Sequence, residues 1–448
     1  MNEIVRKELS TEVIRHSWFY FCMVLLWGTL ILKNLFEINV PVFAFLVYAV
    51  MICLSGNRSE MVALAFSCIP LSTSLQYKYI ILIVILFYVL KYRNEIQHMP
   101  SWSLFGVYIM VWEIFHMGTM GFSITEYIRS FTELIFCILV FSSDNHDYDY
   151  SLIRRVLAIT TTVVTGIILL NLLRNGNSLN SAFTQYYRFG ASIEKHESFS
   201  GAFNPNELGF ICNLAIVGIL QEIYQKRQNL LSYIMLLVLA FCGVLTMSRT
   251  FLLCAAVLLV LFALSKSNNI VKTLFRILII GIVVGGFYYL FTVLFPAAND
   301  ILINRLEMSD FSNGRFELIE FFNRHIISSF NNLMFGIGLQ NVSQKIISLY
   351  GRDVVPHNAV QEILLIWGIP GLFLVIVWLI KWIRGAIRSS RANVTYITLM
   401  PLILILLKVQ FGQFFRSGKN ILALGFAFIS LCQIIDNENN SSYTHMAE

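Results

Sequence analysis

Apolar runs of about 17–25 residues recur along most of this chain, each long enough to cross the ~30 Å hydrocarbon layer of a bilayer. Of its 448 residues, 57% are hydrophobic and 13% charged, and the mean hydropathy is +0.70. A soluble domain carries about twice that share of charge. The chain is therefore expected to be a polytopic, all-α membrane protein, which excludes a nucleic-acid module, a soluble enzyme and a disulfide-rich secreted domain. With a net charge of +6, the position of each charge says more than the total.

All eight cysteines (22, 53, 68, 137, 212, 242, 254 and 432) fall within apolar stretches and read as small buried hydrophobes rather than a disulfide framework. No Cys/His cluster has zinc spacing. Arg6, Lys7 and Arg15 precede a run from Trp18 to about Leu32, which reads as a retained first helix rather than a signal peptide.

Twelve to fourteen transmembrane helices are expected, near 17–34, 39–55, 60–75, 77–92, 101–117, 125–143, 156–173, 204–223, 229–247, 250–265, 277–296, 358–380, 395–411 and 420–435. With both termini cytoplasmic, the inner side receives Arg58, Lys91, Arg93, Arg154, Arg155, Lys226, Arg227, Lys266, Lys272 and Arg276. It also receives Lys381, Arg384, Arg388 and Arg391. Short cytoplasmic loops retain Lys and Arg in this way. The chain divides into N-terminal helices (1–173), a first long outer loop (174–203), central helices (204–296), a second long outer loop (297–357) and C-terminal helices with a cytoplasmic tail (358–448). Polar connections this long usually carry function or are disordered. In the second, Phe316, Ile319, Phe322, Ile326 and Phe330 recur at helical spacing opposite Glu317, Glu320 and Arg324. That pattern predicts an amphipathic helix on the outer leaflet or capping the bundle.

Three groups of residues could carry chemistry. Arg188, Arg305 and Arg315 lie in the long outer loops, where an arginine is either solvated, paired with lipid headgroups or gathered on a substrate. Arg249, in "TMSRTF", sits between two apolar helices with almost no loop, where a charge is costly without a partner or a wet cavity. A guanidinium grips phosphate oxygens in two-point fashion and stays charged. His357 and Asn358, in "VVPHNAVQEILLIWGIPGLF", stand at the mouth of a long apolar helix. The imidazole there either caps the helix or serves as a general base. In "FSGAFNPNELGF", Asn204, Pro205 and Asn206 form a turn into a helix; Asn206 is an N-cap or a substrate contact, and Glu207 a favourable partner for the helix dipole.

Arg188, "SGAFNPNELG", "SRT", "NGRFELIE", "GIG" at 336–338 and "HNAVQEILLIWGIPGL", in that order, resemble the O-antigen polymerase and O-antigen ligase superfamily (Wzy/WaaL type) over roughly 185–380. The first ~170 residues match it only as generic helices. The resemblance implies a GT-C-type bundle and a metal-independent, inverting glycosyltransferase without a cofactor. Donor and acceptor would be undecaprenyl-diphosphate-linked glycans, with membrane lipids and a chain-length regulator protein as further candidate partners and no nucleic acid. It implies that Arg249 and Arg315 hold the lipid diphosphate, that His357 activates the acceptor hydroxyl, and that Arg188 supports them. Arg305, Asn204, Asn206 and Asn358 are the remaining candidate substrate contacts. The chain departs from the pattern at Trp367, before Gly368, where many members have an acidic residue nearby. Glu362, one turn after Asn358, is either its substitute or merely buried. No Asp-x-Asp occurs in either long loop.

A repeat-unit polymerase is the leading reading and a ligase the nearest rival, since both use the same arginine and histidine logic. A lipid-linked oligosaccharide transporter would bury ionisable groups at mid-membrane. Arg129 and Glu133 favour that, but a structural i,i+4 pair explains them more simply. An intramembrane protease would need a Ser–His or paired-Asp pattern that the spans lack.

Overall fold

The computed structural model describes residues 16–71, 77–96, 103–117, 124–141, 148–174, 189, 204–225, 229–265, 270–307, 315–339, 342–351, 354, 356, 358–389, 396–411, 414–415, 417–427 and 429. Helices make up the regular elements of these residues: the protein is an all-α polytopic membrane protein. Among the described residues, five helices are long and apolar enough to cross a membrane: Ser17–Leu35, Tyr150–Arg174, Pro205–Tyr224, Ile270–Leu294 and Ala359–Val377. Six shorter apolar helices accompany them. Two compact units form, each discontinuous in sequence. Unit one is Met1–Phe87, Tyr148–Ser309 and Thr395–Leu404; unit two is Tyr88–Asp147, Asp310–Val394 and Ile405–Glu448.

Unit one contains α1 (Ser17–Leu35), α2 (Val42–Ser55), α3 (Arg58–Leu71) and most of α4 (Tyr77–Tyr92). α5 (Ser103–Met117) and α6 (Ile124–Phe141) belong to unit two, and unit one resumes with α7 (Tyr150–Arg174), α8 (Pro205–Tyr224), α9 (Leu230–Leu245), α10 (Arg249–Ser265), α11 (Ile270–Leu294) and α12 (Pro296–Glu307). Its centre is α7, packed against α3, α8 and α9. Every residue of α3 is buried. Small residues there, Ser59, Ala63, Ala65, Ser67 and Cys68, let the helices approach closely, as membrane helix packing requires. Trp27 donates its indole N–H to Thr160 at 3.0 Å and so ties α1 to the same centre. By contrast, α11 buries only Thr273 and Phe291 and, beyond Lys272 and Arg276 in its first two turns, is apolar on every face, as a helix bathed in lipid should be.

One end of unit one is a polar clasp. Asn57 and Glu60 cap α3 reciprocally: the Glu60 carboxylate accepts from the Asn57 N–H at 2.9 Å, and the Asn57 side chain from the Glu60 N–H at 3.0 Å. Asp149 caps α7 by accepting from the Leu152 N–H at 3.1 Å. His16, which precedes α1 and is 1% exposed, lies 2.7 Å from Glu60 and 3.3 Å from Asp149. Hydrogen bonds to Asp149 and Glu60 outweigh its burial and raise the imidazole to about 9. Beside this clasp Arg154 pairs with Glu222 at 2.7 Å and donates to Gln225 at 3.0 Å, joining the start of α7 to the end of α8.

In unit two the second long connection is more structured than a loop. α13 (Arg315–Ile327), α14 (Phe330–Phe335) and α15 (Val342–Tyr350) precede α16 (Ala359–Ser389), and α12 occupies the first part of that connection in unit one. The expected amphipathic helix is α13: Phe322 and Ile326 are buried and Glu320 pairs with Arg324 on the exposed side. Phe316 and Phe330 are exposed, so the stripe buries only its middle.

α16 is broken at Gly368, whose φ of 67° and ψ of −167° lie in a region open essentially to glycine alone. Pro370 follows and removes a further helical donor. The carbonyls freed by the break find partners in the "GIG" segment, where the Ile337 N–H donates to Leu365 at 2.8 Å and the Gly338 N–H to Ile366 at 2.9 Å. α14 ends at Gly336 with the same φ and ψ. A Cβ on Gly336 would stand 2.5 Å from the Ile366 carbonyl, and one on Gly368 would stand 2.2 Å from the Met334 oxygen. Two helix ends thus cross backbone to backbone, and only glycine fits at either. The remaining helices are α17 (Tyr396–Phe411), which runs from unit one into unit two, and α18 (418–427).

Each of the fourteen expected stretches overlaps a helix among the described residues, with shifted ends, although only five of these helices reach the length and apolarity of a span. α7 begins at Tyr150 rather than 156, α11 at Ile270 rather than 277, and α16 continues to Ser389 beyond the break.

Candidate functional site

At the end of unit one where α8 and α10 begin, two sequence motifs meet. Asn204 caps α8, its side chain accepting from the Asn206 N–H at 2.9 Å, with Pro205 at the first helical position. The cap is therefore Asn204, and Asn206 stands half-buried in the first turn beside Glu207. Gly209 follows one turn later. A Cβ there would lie 3.0 Å from Phe251, 3.2 Å from Thr246 and 3.4 Å from Ser248, so its absence admits the "TMSRTF" turn. That turn is wholly buried from Thr246 to Ser248. Its Met247 has φ of 51°, a left-handed conformation costing about 1–3 kcal/mol for a side chain of this size. The Thr246 hydroxyl donates to Gly243 at 2.6 Å, and the Ser248 hydroxyl caps α10 through the Phe251 N–H at 3.3 Å. Asn213 of α8 donates to the Phe251 carbonyl at 3.1 Å and locks the two helices together.

Arg249 is the first residue of α10. It is half-buried, with Nε and Nη2 withdrawn from solvent contact. The buried Phe189 donates its N–H to Leu245 at 3.2 Å, which brings the backbone of the first long connection to this turn. Arg188 itself lies outside the described residues. The first-turn N–H groups of α8 are already taken, Asn206 by the Asn204 side chain and Glu207 and Leu208 by its carbonyl, so the Arg249 guanidinium, with the partial positive charge of the two helix starts, is what would attract an anion here.

Of the other candidates, Arg305 belongs to unit one and Arg315, His357 and Asn358 to unit two. Arg315 opens α13 and Asn358 precedes α16; His357 lies outside the described residues, as do the side chains of Arg315 and, on α12, Arg305. Asn358 is the N-cap of α16, accepting from the Val360 N–H at 2.8 Å. Gln361 donates to the Ile319 carbonyl at 2.7 Å and to Asn323 at 2.9 Å, so the first turn of α16 is tied to the helix that Arg315 starts. Glu362 is 1% exposed and accepts from the Phe414 and Phe415 N–H groups at 2.6 and 3.1 Å. It secures the 414–415 backbone against α16 and is a buried, structural carboxylate. Glu133 is likewise buried, against Gly418 at the start of α18. The side chain of Arg129, its expected i,i+4 partner, lies outside the described residues.

Sequence reasoning passed over Glu113. This residue is fully buried in α5; its Oε1 accepts from the Leu339 N–H at 2.5 Å and from the Trp367 indole N–H at 3.2 Å. The signal was present: a single carboxylate inside the apolar run "VYIMVWEIF".

The fold and these two groups define a polytopic helical membrane protein with a half-buried arginine at a helix start in one unit and a glycine-crossed broken helix in the other. Residues 234–376, about a third of the chain, match the O-antigen ligase family. This agrees with the O-antigen polymerase and ligase superfamily. The matched stretch contains Arg249, Arg305, Arg315, His357 and Asn358, together with both crossing glycines. No curated protein matches the chain.

Proposed function

We propose that the chain is a membrane glycosyltransferase that polymerises undecaprenyl-diphosphate-linked repeat units into O-antigen or capsular polysaccharide, with inversion and without a metal ion. It would act at the outer face of a bacterial cytoplasmic membrane, both termini being cytoplasmic. The observation that carries this reading is Arg249 at the joint start of α8 and α10, within the stretch that matches the O-antigen ligase family. The acceptor hydroxyl attacks the anomeric carbon of the donor from the side opposite the diphosphate. The bond from that carbon to the diphosphate oxygen breaks, and undecaprenyl diphosphate leaves with the electron pair. Arg249 and Arg315 stabilise the charge that develops on it, with Arg188 and Arg305 in support. His357 takes the hydroxyl proton. Asn204 and Asn358, whose side chains cap their helices, shape the substrate surface through the backbone they hold.

The test is the purified full chain with lipid-linked repeat units alone. A ladder of polymer is expected, unchanged in EDTA, and His357→Gln should lose roughly 10²–10⁴-fold in turnover. Activity abolished by chelator and restored by magnesium or manganese would overturn the metal-free mechanism. The second reading, a ligase that transfers finished glycan to lipid A core or another acceptor, is favoured by the description of the matched family. Product formed only when such an acceptor is added would establish it.

A further inference from the structure

The crossing of the Gly336 and Gly368 ends is closed on one side by its two backbone hydrogen bonds and on another by α5. Three α5 side chains within two turns reach it. Tyr108 donates its hydroxyl to the Trp367 carbonyl at 3.2 Å, Trp112 donates its indole N–H to the Phe335 carbonyl at 2.9 Å, and Glu113 accepts from Trp367 and Leu339. One oxygen of Glu113 thereby holds the residue that ends the first half of α16 and the residue that follows "GIG". Lys345 donates to the Ile337 carbonyl between them. Burial lowers its ammonium, and the Glu113 charge opposes that shift. A carboxylate buried among apolar side chains is costly to keep, and one so held in a membrane helix calls for a function.

We propose that Glu113 is a positioning residue for the reaction: by fixing the glycine crossing, it sets the direction of the half-helix Ala359–Trp367 and so of the end that begins at Asn358, which His357 precedes in sequence. This rests on the functional reading above. The half-helix is about 13 Å long at 1.5 Å per residue, so a tilt of about 10° at Gly368 moves its far end by about 2 Å. Displacements of about 1 Å at a reacting group can cost about 10²-fold in rate. The α13 helix moves with it, through Gln361 on Ile319 and Asn323.

The experiment uses the full chain labelled with 5-fluorotryptophan, the Trp367 resonance being assigned with Trp367→Phe. Glu113→Gln keeps an acceptor oxygen for both N–H groups; turnover within about threefold of wild type and an unmoved Trp367 resonance are expected. Glu113→Leu removes the acceptor; kcat should fall about 10²-fold with the donor KM within about twofold, and the Trp367 resonance should shift. Should Glu113→Leu fail to accumulate, Trp367→Phe removes one of the two donors and should lower kcat about tenfold at constant KM. The proposal is overturned if Glu113→Gln is as impaired as Glu113→Leu, since the charge rather than the anchoring would then matter. It is also overturned if the resonance stays put in Glu113→Leu, or if Trp367→Phe, used in its place, keeps full turnover. A wild-type chain that turns over no lipid-linked glycan fails the functional reading and this role with it. A wild-type chain that polymerises while Glu113→Leu does so equally well fails the positioning role alone.

Discussion

At the scale of single residues, Arg249 is the position where sequence and structure meet most closely. A charge between two apolar helices was conspicuous in the sequence, and the structure sets it at a helix start, half-buried, against a strained and wholly buried turn. Met247 at φ of 51° is maintained only because Thr246, Ser248 and Gly209 over-determine the turn. Arg249→Ala should abolish long-chain glycan while the protein still inserts and accumulates, and Arg249→Lys should rescue poorly, since an ammonium replaces a planar fork with a point charge. Polymer length on a gel, against protein level in membranes, measures this; normal polymer from the alanine variant would remove the diphosphate assignment. Arg315→Ala should behave alike. Asn206 shows where spacing misleads: either asparagine of Asn-Pro-Asn could cap, and proline's fixed φ at the first helical position selects Asn204. Glu113 was legible only as an oddity, because its partners, Leu339 and Trp367, lie more than 200 residues away.

At the scale of elements, apolar length located the helices and the amphipathic pattern located α13, but neither could reveal the break in α16. The apolar run continues unbroken through Gly368, and a glycine followed by proline inside a membrane helix is as compatible with a mild kink as with a helix end. What decides is the contact with Gly336, which no local pattern contains. Gly368→Ala should therefore cost well above the ~1 kcal/mol of an ordinary helix glycine, since a Cβ meets the Met334 carbonyl at 2.2 Å in a conformation alanine avoids. Thermal unfolding in detergent should show a clear drop for it and a negligible one for Gly285→Ala, whose surroundings are open. The polar clasp makes a second prediction. His16 is raised above its ordinary 6.5, so the stability it contributes is full below about pH 6.5 and is lost as pH rises through about 9. At about 1.4 kcal/mol per pH unit the loss is on the order of 3 kcal/mol. The melting temperature should fall between pH 7 and 10, and the slope should flatten in His16→Gln; equal slopes in the two proteins would show that the clasp does not titrate.

At the scale of the whole molecule, the charge pattern makes a claim independent of any site. Lys226 and Arg227, Lys266, Lys272 and Arg276, and the group from Lys381 to Arg391 are each separated by a pair of spans or by the long connection between α11 and α16. They should share one side, and the positive-inside rule makes it the cytoplasm. The 174–203 and 297–357 stretches, with Arg188, Arg305, Arg315 and His357, then face outward, where a flipped lipid-linked glycan is available. A reporter enzyme that works only outside the cytoplasm, fused after position 310 or 352, should be active, and fused after 227 or 390 it should be silent. A reporter that works only inside should give the reverse pattern. The rule counts charges near span ends, and Arg93 and Arg58 obey it as well, so inverting the topology would require overriding charge in several loops at once. Activity after 227 and silence after 310 would nevertheless do so. The arginines would then face the cytoplasm, where nucleotide-linked sugars rather than flipped lipid-linked units would be the donors at hand, and the polymerase and ligase readings would both fall.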